Sequence, residues 1–399
     1  MPAMSVSART TRALTQSSWI RRMSEEAERL RSIHGPGAVF DLSLGNPAVE
    51  PPEEFAAVLR DLLSEERHGL HKYMSNAGYW ETREAVADDL SREHGVRLSA
   101  SDVVMTCGAA GALNVIFRTI LDPGDEVIVT RPFFVEYGFY VDNHGGVLVP
   151  VQPSADFGLD LDAIKAAIGP RTRAVLVNSP NNPTGRVYSA ESLTELGLLL
   201  SRRSVAVGRT IYLVSDEPYR RLVYDGVTVP SVFRAYQNTI VVSSYSKELS
   251  LAGERIGYLA LNPTMPDAAR LADGLIFANR ILGFVNAPAL MQRVVAKLRG
   301  ALVDLSLYER NRRVLMGALI ESGYDVPSPQ GAFYLFPRSP LADDVAFVRE
   351  LLEDRVVVVP GTGFGFPGHF RLSYCVAEEV VDSALPILRL AGQRHFGDS

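Results

Sequence analysis

Between residues 101 and 262 the chain alternates short apolar, β-branched runs with longer segments of helical period. Strands joined this way run parallel, because a crossover long enough to hold a helix returns the chain to the same edge of the sheet. The runs predict strands at 103–106, 126–130, 147–151, 174–177, 211–215, 240–243 and 256–261. Their largely continuous apolar character requires burial on both faces, so helices must cover the sheet on each side. Helices are expected at 109–120, stopped by Asp122-Pro123-Gly124, and at 190–203, opened by Ser189 as N-cap. The middle of the chain therefore reads as a three-layer α/β/α domain around a mostly parallel, seven-stranded sheet.

After Pro288 the pattern changes: a long helical stretch over 290–321, strands at 332–336, 356–359 and 370–374, and a closing helix over 378–390. This predicts a smaller α+β domain. A helix over 19–33 has no strand of its own nearby and is expected to pack there. The division expected is 1–48 as an N-terminal segment packing with the small domain, 49–289 as the large domain and 290–399 as the small one. Residues 1–18 are rich in Ser, Thr and Arg, lack the apolar stretch of a secretory signal, and are expected to fray.

The balance of 40 basic against 46 acidic residues, net charge -6, gives no long basic stripe, and nucleic acid is not an expected partner. No run approaches the 18 apolar residues that would argue for a membrane span. The only two cysteines, Cys107 and Cys375, lie far apart, which suggests neither a disulfide framework nor a thiolate metal site and fits a reducing, cytoplasmic setting.

In open parallel sheets ligands bind beyond the carboxyl ends of the strands, and several polar groups fall there. Lys247 stands in Ser243-Ser244-Tyr245-Ser246-Lys247, with Arg255 eight residues on. A lone lysine on a turn is usually a solvated charge; this one lies among hydroxyls between two apolar runs. Serine hydroxyls and a planar guanidinium make a phosphate cradle, and an amine beside a phosphate suggests a Schiff-base cofactor. Gly108-Ala109-Ala110 opens a helix and offers free amides to an anion, although any strand-to-helix turn may use glycine. The rigid polar loop from Asn178 to Gly185 carries Asn181 and Asn182 between prolines and is unusual as mere punctuation, although a plain Asn/Pro turn would use the same residues. Asp216, ending a buried strand with Tyr219 close behind, needs a cation: a protonated pyridine nitrogen or one of the arginines.

Two other patterns carry no function. Gly363-Phe364-Gly365-Phe366-Pro367-Gly368 satisfies the dinucleotide spacing but opens a strand, and Pro367 removes an amide. His68 and His71 find no third ligand, so a metal is not expected.

Taken together, Asn182-Pro183-Thr184-Gly185, Asp216 with Tyr219, Ser244-x-Ser246-Lys247 with Arg255, and Phe370-Arg371-Leu372-Ser373 resemble the fold-type I, class I/II aminotransferases that use pyridoxal phosphate. Order and spacing agree from about Leu42 to the C-terminal helix. The resemblance implies that Lys247 holds the cofactor as a Schiff base and shuttles the substrate Cα proton, and that Asp216 keeps the ring nitrogen protonated. Tyr219 and Asn182 would bond the ring oxygen. Ser244, Ser246 and Arg255, with Gly108 and the Ala109 and Ala110 amides, would hold the phosphate. Phe134 would stack on the ring, Arg371 would clamp the substrate carboxylate beside Asn182, and Gly45 would belong to a segment closing over it. Tyr73 would reach the phosphate of a neighbouring subunit, so active sites would be shared in a homodimer. Ala110 lacks the polar side chain of many relatives, and the position of a distal-carboxylate arginine falls on Ile281 rather than Arg280. Strict aspartate or glutamate specificity is therefore not expected. The implied activity is amino transfer between an L-α-amino acid and a 2-oxo acid; the alternative is another reaction on the same cofactor, such as a β-lyase, synthase or oxidase. A transcriptional regulator on this fold would carry a helix-turn-helix domain, for which the residues before Leu42 are too few.

Overall fold

The computed structural model describes residues 6–15, 19–64 and 69–397. All seven expected strands form: β1 (Val103–Thr106), β2 (Glu126–Thr130), β3 (Val147–Val151), β4 (Thr172–Asn178), β5 (Tyr212–Asp216), β6 (Thr239–Ser244) and β7 (Gly257–Leu261). They build one sheet in the order β1-β7-β6-β5-β4-β2-β3. β7 runs antiparallel to both its neighbours, and every other pairing is parallel.

Both faces are buried, as the sequence of β4 requires: Val175 and Val177 join Leu196 and Leu200 on one side, Ala174 and Leu176 join Ile116 and Phe117 on the other. The covering helices include Gly108–Ile120 and Ala190–Val207. Ser189 caps the second by accepting from Ser192 N at 3.1 Å, and Gly208, at φ 71°, ends it in a left-handed turn. The register sets Asn178 beside Asp216, and Asp216 beside Val242 two residues before Ser244. Three polar strand ends thus meet at one edge.

A separate core gathers the C-terminal elements, with Leu315, Phe347, Val356, Phe370 and Leu388 packed together. Met23, Ala27 and Leu30 of the helix Trp19–His34 are buried in it.

The structure corrects several expectations. The stretch 290–321 is two helices, Ala289–Lys297 and Ser306–Glu321. Gly300, at φ 74°, breaks the run, and Asp304 restarts it by accepting from Ser306 N at 2.9 Å. The run 356–359 divides between two sheets, Val356–Val357 pairing with Phe40–Asp41 and Val359–Pro360 with Phe370–Ser373. The strand expected at 332–336 shrinks to Tyr334–Leu335; Ala332, at φ 61°, lies outside the extended region. The closing helix continues to Phe396. Part of the tail expected to fray is a helix, Ala8–Thr15, tied down where Arg9 Nε donates to Asp142 Oδ2 at 2.9 Å. The rest of that tail, residues 1–5 and 16–18, and His68 lie outside the described residues.

Among the described residues no helix is long and apolar enough to cross a membrane, and no cluster of three His, Cys, Asp or Glu could hold a metal.

Candidate active site

The strand ends and loops enclose a cavity of about 250 Å³ lined by Gly45, Ala109, Ala110, Phe134, Asn182, Asp216, Tyr219, Ser244, Ser246, Lys247, Arg255 and Arg371, all anticipated in the sequence. Tyr137, Asn178 and Tyr334 also line it.

Lys247 lies in the short helix Tyr245–Glu248 that continues from β6, and its Nζ donates to the Gly45 carbonyl at 2.6 Å. Burial, with Arg371 and Arg255 nearby, brings its pKa down to about 8. Near neutral pH this amine can therefore be deprotonated far more readily than a surface lysine.

Asp216 is buried at the end of β5. Its Oδ2 accepts from the Tyr137 hydroxyl at 2.6 Å, and its backbone carbonyl accepts from Asn178 Nδ2 at 2.8 Å. Its Oδ1 is buried without a hydrogen-bond partner. Burial raises this carboxyl to about 7, against the pull of the Tyr137 hydrogen bond. A buried, unpaired carboxylate oxygen on a residue that lines a cavity is the complement of a cationic N–H. The site thus fits the protonated ring nitrogen of a pyridine cofactor. Behind it Glu217 accepts from Ser215 Oγ at 2.7 Å and from Arg220 Nη1 at 2.9 Å, which holds the end of the strand.

At the opposite wall, Arg371 leaves strand Phe370–Ser373 almost fully buried. Its Nη1 donates to Asn182 Oδ1 at 2.9 Å, its Nη2 donates to the Ser43 carbonyl, and its Nε has no partner. Tyr334 and Phe364 flank the guanidinium, their ring centroids 4.4 and 4.8 Å from its carbon. A desolvated fork with a free donor needs an anion, and a planar carboxylate matches it.

The Asn178–Gly185 loop is more than a turn. Asn178 Oδ1 accepts from Asn182 N at 2.7 Å, and Asn181 Oδ1 accepts from the Thr184 hydroxyl at 2.9 Å. These bonds leave the Asn182 amide to span Arg371 and the cavity. At the phosphate-like end, Gly108 has φ 69°, and a Cβ there would lie 3.0 Å from Arg255 Nη2. Only glycine lets the helix N-terminus and the guanidinium approach so closely.

Two anticipated residues are not on the cavity wall. Gly108 acts one layer behind Ala109 and Ala110, and Tyr73, 88 % exposed, lines a different surface cleft with Phe284 and Val285. Arg280 is exposed on helix Ala268–Ile281. Conversely, sequence reasoning missed Tyr137 and Tyr334 as site residues. Tyr137 follows Phe134 by three positions, a helical spacing that could have been used. Tyr334 meets Tyr219 across 115 residues and gives no local signal.

A family model, aminotransferase class I and II, matches residues 38–388. The chain belongs to this family, whose members use pyridoxal phosphate to move an amino group between an amino acid and a 2-oxo acid. It is 38 % identical over 353 residues to the aspartate/prephenate aminotransferase of Thermus thermophilus, covering 86 % of this chain and 88 % of that one. An amino transferase from Eubacterium rectale superposes with a TM-score of 0.94 at 39 % identity, over 99 % of this chain and 100 % of the other. The Thermus thermophilus aspartate aminotransferase with maleate gives 0.84 at 32 % identity, over 97 % and 99 %. The chain is a pyridoxal phosphate-dependent transaminase of the fold-type I architecture.

Proposed function

We propose that Lys247 holds the cofactor covalently and, once released by the incoming amine, moves the proton at the substrate Cα. The observation that carries this is that the Lys247 amine, at about 8, and Asp216, whose buried Oδ1 has no hydrogen-bond partner, line one cavity. Bound pyridoxal phosphate supplies an electron sink that weakens a bond to that carbon. Asp216 keeps the ring nitrogen protonated, and Tyr137 fixes which carboxylate oxygen faces it. Tyr219 and the Asn182 amide donate toward the ring oxygen, and Phe134 covers the ring face. Ser244, Ser246, Arg255 and the Ala109 and Ala110 amides hold the phosphate, with Gly108 making room. Arg371 binds the substrate α-carboxylate, and the Gly45 segment closes over it, its carbonyl orienting Lys247. The test is Lys247→Ala: transamination is abolished in a protein that still takes up the cofactor noncovalently, and retained turnover overturns the assignment.

Among the described residues lining the cavity, the cations are Lys247, Arg255 and Arg371, each with a task in this scheme. This supports a donor range wider than acidic amino acids. A panel of amino donors, scored by the loss of the bound cofactor's absorbance in single half-reactions, reads that range directly.

The exposed Tyr73, with Phe277 60 % and Ile281 48 % exposed, supports assembly as a homodimer in which Tyr73 reaches the phosphate of the other subunit. Chemical reactions of this kind on free amino acids, with no helix suited to crossing a membrane among the described residues, favour the cytoplasm.

A further inference from the structure

Tyr334 stands where the two halves of the site meet. It is 2 % exposed, its hydroxyl is 3.0 Å from that of Tyr219, and its ring centroid is 4.4 Å from the Arg371 guanidinium carbon. It also sets the Gly45 segment, because a Cβ at Gly45 would fall on the Tyr334 hydroxyl. One side chain thus touches the group assigned to the cofactor ring oxygen, the group assigned to the substrate carboxylate, and the loop that bears the Lys247 acceptor.

We propose that Tyr334 is a positioning residue with two separable parts: its hydroxyl donates to Tyr219 and strengthens the hydrogen bond Tyr219 gives onward, while its ring is the platform that aims Arg371. This rests on the roles given above to Tyr219 and Arg371. A hydroxyl that accepts one hydrogen bond is a better donor of the next, since the two polarise in series. A guanidinium lying over a ring face is attracted by the ring quadrupole and held flat, and in a dry site that contact is at its strongest. Phe364 completes the sandwich at 4.8 Å from the guanidinium carbon. Asn182 and Ser43 fix the two outer nitrogens of Arg371, and the rings fix its plane.

The consequence is a split that a purely structural residue would not show. With the cofactor bound, donation from Tyr219 to the ring oxygen would lower the proton affinity of the Lys247 nitrogen, so weaker donation should raise the pH midpoint of the holoenzyme's absorbance change. Tyr334→Phe should raise that midpoint by roughly half a pH unit, with KM for the amino acid unchanged within about twofold. Tyr334→Leu removes the platform as well and should raise KM about fivefold or more. Tyr219→Phe should raise the midpoint by itself, and Tyr334→Phe in that background should add nothing. A further shift in the Tyr219→Phe background, or no shift from Tyr334→Phe alone, overturns the relay. Equal KM in the Phe and Leu variants overturns the platform; if Tyr334→Leu fails to fold, Tyr334→Phe and the double variant still decide the relay. Two controls separate this from the underlying assignments. If Tyr219→Phe leaves the midpoint in place, or Arg371→Lys leaves KM in place, the site assignment itself fails and this proposal with it.

Discussion

Tyr137 donates its hydroxyl to one oxygen of Asp216 at 2.6 Å and leaves the other, buried oxygen of this cavity-lining residue unpaired. A carboxylate so placed is held in one orientation and still has one unmet need. It is a preorganised partner for a cation, and the cost of leaving it unpaired is borne by the protein until a ligand arrives.

Replacing that carboxylate should be severe. Asp216→Asn removes the charge proposed to pair with the ring nitrogen, and breaking a buried charge pair costs about 3–5 kcal/mol, which is roughly 10²- to 10⁴-fold in kcat/KM. Tyr137→Phe removes one hydrogen bond to a charged group, worth about 1.5–3 kcal/mol, and should weaken catalysis less. Steady-state kinetics on the two variants check the order of the losses.

The same carboxyl makes stability depend on pH. Without cofactor its pKa is raised from 3.8 to about 7, so between those values the folded chain binds more protons than the unfolded one. Stability must therefore fall as pH rises through that window, by at most about 4 kcal/mol from this group. Glu248, raised by burial to about 8, acts in the same direction. A bound pyridinium would pair with ionised Asp216 and cancel its part. Urea unfolding with and without pyridoxal phosphate should show a stabilisation by cofactor that is larger at pH 7.5 than at pH 5.

Gly45→Ala should damage the site from behind. The added methyl meets the Tyr334 hydroxyl and comes within 3.0 Å of Phe333 Cε2, so the segment must move away from both. Overpacking of this kind costs about 1–3 kcal/mol. The displacement takes the Gly45 carbonyl from Lys247 Nζ, and the expected result is a fall in kcat together with altered pH dependence of the cofactor's absorbance.

If Tyr73 serves the other subunit, two inactive variants should rescue one another. In a mixed dimer of Lys247→Ala and Tyr73→Ala chains, one site receives an intact lysine from one chain and an intact tyrosine from the other. Unfolding and refolding the mixture should restore turnover that neither variant shows alone, to roughly a quarter of the native level. No recovery in a mixture shown to be dimeric by sedimentation would count against a shared site.

How much of this was written in the chain depends on the range of the forces involved. The seven strands, the N-cap at Ser189 and the polar ends at Asn178, Asp216 and Ser244 follow from local apolar runs and turn chemistry, and each could be read in order along the sequence. So could the motif residues Lys247, Arg255 and Arg371, whose spacing carries the family likeness. The division of the stretch 290–321 into two helices is hidden in the sequence because its apolar period passes through the break at Gly300, where backbone conformation rather than hydrophobicity decides. Tertiary structure alone determined the rest: which oxygen of Asp216 is left free, that the Gly45 carbonyl holds Lys247, and that Tyr334 joins Tyr219 to Arg371. The hydrogen bonds among those contacts span 79 to 202 residues. Hydrogen bonds and ring contacts act over a few ångströms, so they come into being only when packing has brought distant segments together.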